Sequence, residues 1–114
     1  MILKREELNI REEKDNSGKD ALTIFDLNTF DGWNKKVRMF SEVELAPGAA
    51  VDYHVHEGEF ESYYILSGNG VYSDNGEEIP VSAGTVTFTP SGKGHGLLNT
   101  GNEKLTFIAL IVVD

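Results

Sequence analysis

The chain has no cysteine, so neither a disulfide nor a thiolate ligand is available, and any metal must be held by nitrogen and oxygen. Basic residues are scarce. Ten Lys and Arg against nineteen Asp and Glu leave a net charge of −9. That balance argues against nucleic acid or an anionic membrane surface as a partner, since both select for basic patches. No apolar run is long enough to cross a bilayer as a helix. Leu105 to Val113 falls far short of the roughly 20 residues a spanning helix needs. The opening residues MILKREELNIREEKD carry no apolar core of a secretion signal, so the expectation is a cytoplasmic protein. Histidine occurs only at 54, 56 and 95, which points to a single use for imidazole.

The 114 residues suffice for one domain with one modest core. Residues 1–20 are polar and weakly patterned, and they are set apart from a β-rich domain over residues 21–114. Met1–Leu3 offers a short strand, and Asn16-Ser17-Gly18 a turn. Ala21 to Leu27 reads as a strand. Asn28 to Asn34 reads as a loop whose Phe30 and Trp33 either pack beneath it or cover a pocket. Val37 to Leu45 alternates, with Val37, Met39, Val43 and Leu45 on one face and Arg38, Glu42 and Glu44 on the other. Further strands are expected at Ala50–His56, Glu61–Leu66, Thr85–Thr89, His95–Asn99 and Leu105–Val113, with a hairpin turning at Asn75-Gly76. No stretch after Leu22 has the period of an amphipathic helix. Many short strands separated by turns imply a sandwich or a barrel. The last strand is apolar on both faces. One face can fill the core, and the other requires a cover, most simply a second copy in a homodimer.

The stretch from Gly48 to Gly68 carries the chemistry. Alternate residues of a strand share a face, so His54 and His56 point the same way, with Glu61 five residues on. His95, in the stretch Gly84 to Asn99, supplies a third imidazole. Three neutral imidazoles and one carboxylate suit a divalent first-row metal, one per subunit; Mn, Fe, Co, Ni and Zn all fit. Glu57 and Glu59 are rival carboxylates assigned to a solvent-facing loop. By alternation Asp52 points inward ahead of His54, where it could orient a ligand. Tyr63 and Ile65 follow Glu61 inward, and Leu97 follows His95. Tyr63 is the nearest candidate acid, with core packing as its alternative; Arg38 and Lys93 could reach a pocket mouth.

The spacing G-x5-H-x-H-x4-E-x6-G from Gly48 to Gly68, followed by G-x5-P-x-G-x2-H-x3-N from Gly84 to Asn99, resembles the paired motifs of the cupin superfamily, in the form of a small single-domain bacterial cupin. The motifs cover about a third of the chain, and the strand pattern extends the likeness to roughly residues 35–113. The resemblance narrows the fold to an all-β double-stranded β-helix, the cupin jelly-roll barrel. It implies metal ligation by His54, His56, Glu61 and His95, and structural roles for the motif glycines, Pro90 and Asn99. Thr85 stands where the family usually has an acidic residue, on a turn away from the ligands. Cupins of this ligand type include dioxygenases, decarboxylases, isomerases and lyases, so the resemblance implies an enzyme on a small oxygen-bearing molecule or, alternatively, a non-catalytic binding module or sensor domain.

Overall fold

Alternation of period two marks most of the ten strands among the described residues. The computed structural model describes residues 1–29 and 35–114. Its strands are β1 (Asn9–Lys14), β2 (Asp20–Asp26), β3 (Val37–Leu45), β4 (Ala50–Val55), β5 (Glu59–Ser67), β6 (Asn69–Asp74), β7 (Glu77–Ser82), β8 (Val86–Thr89), β9 (Gly94–Asn99) and β10 (Leu105–Val113). The one helical turn among the described residues is the three-residue Arg5–Glu7. None of the helices is long and apolar enough to cross a membrane. The strands form two antiparallel sheets, β1-β2-β3-β10-β5-β8 and β4-β9-β6-β7, which give the jelly-roll barrel. The Phe30 and Trp33 loop lies outside the described residues.

The core lies between the sheets. Leu105, Phe107, Ala109 and Ile111 of β10 turn inward to meet Val43 and Leu45 of β3 and Ile65 of β5. Each such side chain, fully buried, contributes about 1.5–3 kcal/mol. The hairpin between β6 and β7 turns on Asn75 and Gly76, both at positive φ (52° and 97°), as a two-residue hairpin requires. Gly68 ends the first motif for two reasons. Its φ is 96°, and a Cβ there would sit 2.8 Å from the Leu105 backbone.

The N-terminal residues depart from expectation. No strand forms at Met1–Leu3; Asn9–Lys14 instead pairs along β2 at the edge of the larger sheet. All six residues of β1 are exposed, so no apolar period marks it. Its anchor is polar. Arg11 donates two hydrogen bonds to Asp26, at 2.8 and 2.9 Å, and Asn9 and Ser41 each donate one, at 3.0 Å.

Two bulges shift the strand phase near the barrel mouth. On β3, Met39 and Val37 face successive residues of β10, so Arg38 is the extra residue. Alternation alone would send Arg38 outward, yet its side chain lines the barrel pocket. On β4, Val51 pairs with Leu97 and His54 with His95, three residues against two. Val51 and His54 therefore both reach the pocket. The Asp52 carboxylate points outward instead and accepts a hydrogen bond from the Asn16 backbone N–H at 2.8 Å, correcting the inward placement.

Candidate metal centre

His54 stands near the end of β4 and His56 just beyond it, His95 on β9 and Glu61 on β5, so the two sheets together build the site. His56 is pinned through its backbone. Its N–H donates to the Lys93 carbonyl at 3.1 Å, and its carbonyl accepts from the Gly92 N–H at 2.7 Å. The loop between the second motif's proline and histidine thus fixes a ligand of the first motif. Asn99 has the fastening role the motif implied: its amide donates to the Leu45 and Glu103 carbonyls, and its oxygen accepts from the Gly101 N–H.

The three Nε2 atoms lie 3.1 Å from one another. Glu61 Oε1 is 2.8 Å from His56 Nε2, 2.9 Å from His95 Nε2 and 3.8 Å from His54 Nε2. With metal–nitrogen bonds of about 2.1 Å, neighbouring donors stand about 3.0 Å apart on an octahedron and about 3.4 Å apart on a tetrahedron. The nitrogen triangle therefore has the size of one octahedral face. Glu61 and His95 are buried, His56 nearly so, and His54 forms the accessible side.

The proton positions make the case for a cation. His54 Nδ1 lies 2.7 Å from the Asp52 carbonyl and His56 Nδ1 lies 2.6 Å from a Glu59 carboxylate oxygen. Both partners can only accept, so both Nδ1 atoms carry the proton in the neutral rings. His95 Nδ1 lies 2.8 Å from the Tyr72 hydroxyl, which also lies 2.8 Å from the Thr89 hydroxyl. The Nε2 lone pairs of His54 and His56 then face each other beside His95 Nε2 and the Glu61 carboxylate. Ligand atoms that close fit a bound cation, and this cluster could hold a metal.

Burial pushes the Glu61 carboxyl up, but the neighbouring imidazoles outweigh it and bring its pKa down to about 2. Glu61 also raises His54 above its ordinary value, against the opposing effect of burial. Burial lowers His95.

The surroundings revise several expectations. Glu59 is not a loop residue facing solvent. It opens β5, its side chain is only 12% exposed, and it joins His56 to Arg38, which donates two hydrogen bonds of 2.7 Å to it. Glu57 is exposed. Tyr63 packs its ring 4.9 Å from that of His95, and burial pushes its phenol well above the ordinary value, so it is a poor acid near neutral pH. Ile65 and Leu97 turn inward but lie in the core rather than in the pocket wall; Met39 does line the pocket. Lys93 is exposed and absent from that wall. Tyr72 and Glu13 carried no sequence signal. Tyr72 reaches His95 from β6, and Glu13 reaches the pocket from the polar strand β1. The pocket holds 230 Å³.

Comparisons with known proteins place this geometry among relatives. The cupin domain profile matches residues 41–113. The oxalate-binding protein of Thermotoga maritima is 46% identical over 96 residues, 84% of this chain and 79% of the relative. A germin-like protein of Morus alba is 34% identical over 93 residues, 76% of this chain and 44% of the relative. The crystal structure of a predicted oxalate decarboxylase from Thermotoga maritima superposes over 100% of both chains with a TM-score of 0.90 at 40% identity. A sugar phosphate isomerase from Silicibacter pomeroyi superposes over 100% of this chain and 76% of its own with a TM-score of 0.82; at 21% identity it shares the fold alone.

Proposed function

The chain belongs to the cupin family, and from that premise we propose that it holds one divalent transition metal on His54, His56, Glu61 and His95 and acts on a small carboxylate bound at that metal. The observation that carries the reading is the convergence of three imidazole Nε2 atoms and one carboxylate oxygen on a single point between the sheets. A divalent ion with one carboxylate ligand leaves a local charge of about +1, which draws anionic oxygen. The overall charge of −9 opposes this at long range, but salt screens it beyond about 8–10 Å. The name of the 46%-identical relative, an oxalate-binding protein, supports a carboxylate ligand. When bound, a metal of this kind supplies Lewis acidity and acidifies coordinated water. The chain's own part is to orient the ligand between the sheets and to keep water off it with the apolar walls. Tyr63, held neutral by burial, is not placed to move a proton there.

A second reading, a binding module without turnover, has a specific observation in its favour: Tyr63 is buried in its neutral form, so the metal has no titrating group pressed against it besides its ligands. Metal analysis tests the shared part. His56→Ala and His95→Ala should each lose the ion, and unchanged stoichiometry in both removes the site. Incubating the metal-loaded protein with a panel of small carboxylates, and following carboxylate loss by NMR, separates the readings. Turnover establishes the enzyme; metal-dependent binding without turnover establishes the module.

A further inference from the structure

The pocket is built in two unlike halves. Its polar half is the histidine–glutamate cluster. Its other half is apolar and comes from the larger sheet: Leu22 and Ile24 of β2, Met39 and Val43 of β3, Phe107 and Ile111 of β10. Ile24, Val43, Phe107 and Ile111 are at most 5% exposed, so this wall is firm rather than collapsible. Among the described residues, charge appears again at the rim, where Glu13 and Arg38 line the same space. Arg38 has its Nε and Nη2 edge on Glu59, which offsets its charge at the rim. Glu13 opposes a second negative charge at that end.

We propose that the ligand of this site is a monocarboxylate with a second oxygen on the adjacent carbon and a short apolar chain, its head at the metal and its chain against β2, β3 and β10. The inference rests on the metal-centre reading above. The three nitrogens form one face, so the two positions that four protein donors leave on a six-coordinate ion are adjacent to each other, and neighbouring oxygens of a 2-oxo or 2-hydroxy acid match them. Size and polarity supply the rest. At about 30 Å³ per water-sized group, 230 Å³ accommodates roughly seven or eight such groups. Oxalate, with four oxygens on two carbons, would leave the Leu22, Ile24 and Phe107 end wet. With five non-hydrogen atoms in the head, an alkyl chain of about two to three carbons would fill the rest and gain transfer free energy from each methylene. A dicarboxylate of the same length would bring its far charge to Glu13.

The test holds the head constant and varies the chain. Protein loaded with Co2+ is titrated calorimetrically with glyoxylate, pyruvate, 2-oxobutanoate, 2-oxopentanoate and 2-oxoglutarate. Affinity is expected to rise about 3–4-fold per added methylene, the factor that burying one methylene gives, and 2-oxoglutarate is expected to bind more weakly than 2-oxopentanoate. Met39→Gln should reduce the gain per methylene. A flat or falling series, or an undiminished gain in Met39→Gln, overturns the inference while carboxylate binding at the metal stands. No binding of any of these acids to the metal-loaded protein overturns carboxylate binding at the metal along with it.

Discussion

At the scale of single residues, Glu59 links the barrel rim to the metal ligands. Arg38 grips its carboxylate and it grips His56, so it fixes the tautomer and direction of that ring without touching the ion position. Glu59→Ala is expected to weaken metal affinity about 10–100-fold, the usual loss when such an outer partner is removed, as measured by competition with a chelator. Glu59→Gln, which keeps an oxygen acceptor, should recover part of it; equal affinity in wild type and Glu59→Ala would remove the role. Protons compete with the ion at the same atoms. His54 is raised above its ordinary pKa of about 6.5 and His95 is lowered, so His54 takes up a proton first as pH falls. Affinity should therefore decline as pH falls through the raised His54 value. Calorimetry in buffers of different ionisation enthalpy, run across that decline, should find protons released on metal binding. The four converging side chains were legible in sequence through the spacing of the two motifs, with strand phase alone pairing only His54 and His56. Glu59 and Tyr72 were not, since each is defined by a partner on a different element.

At the scale of elements, the bulges explain where alternation misled. One extra residue on β4 moves Asp52 out and keeps Val51 and His54 in the pocket, and one on β3 re-aims Arg38. A bulge is a mismatch between two strands, and no single strand records it. Strand β1 was illegible for a related reason. It buries no side chain, and Asp26, far along the chain, holds it. Hydrogen bonds from Arg11, Asn9 and Ser41 outweigh burial and hold the Asp26 carboxyl below its ordinary value. A lowered carboxyl contributes stability above its unfolded pKa of about 3.9 and loses it as pH falls through the folded value, so this anchor fails only in acid. Asp26→Asn is expected to cost about 1.5–3 kcal/mol at neutral pH, the range for hydrogen bonds to a charged group, and much less at pH 3. Urea unfolding at both pH values measures this; an equal cost at both would contradict the anchor.

At the scale of the whole molecule, the outer face of the larger sheet carries an apolar patch at its β8 edge. Val86 is 68% exposed, Phe88 58%, Tyr64 49% and Leu66 42%, and Phe60 stacks on Phe88 at 5.3 Å. The outward residues of β10 are half-covered between β3 and β5, which moves the expected dimer contact from β10 toward β5 and β8. A homodimer of about 25 kDa, twice 12.6 kDa, is the expected species in light scattering. Phe88→Glu should shift it toward monomer, and a monomer in the wild type would refute it.

The two sheets contribute unequally to the four candidate ligands: His54 and His95 stand on the smaller, His56 just past its strand β4, and Glu61 on the larger. An ion held by all four is therefore a cross-link between the layers, in a chain whose lack of cysteine denies it a covalent one. Unlike a disulfide, it is reversible without redox chemistry, and its strength is set by the free metal concentration. At 100 times the dissociation constant it adds about 2.7 kcal/mol, on the order of 10 °C in melting temperature for a domain of this size. Calorimetric scans with metal and with chelator should differ by that amount, and Glu61→Gln should remove most of the difference, since it unfastens one layer from the other.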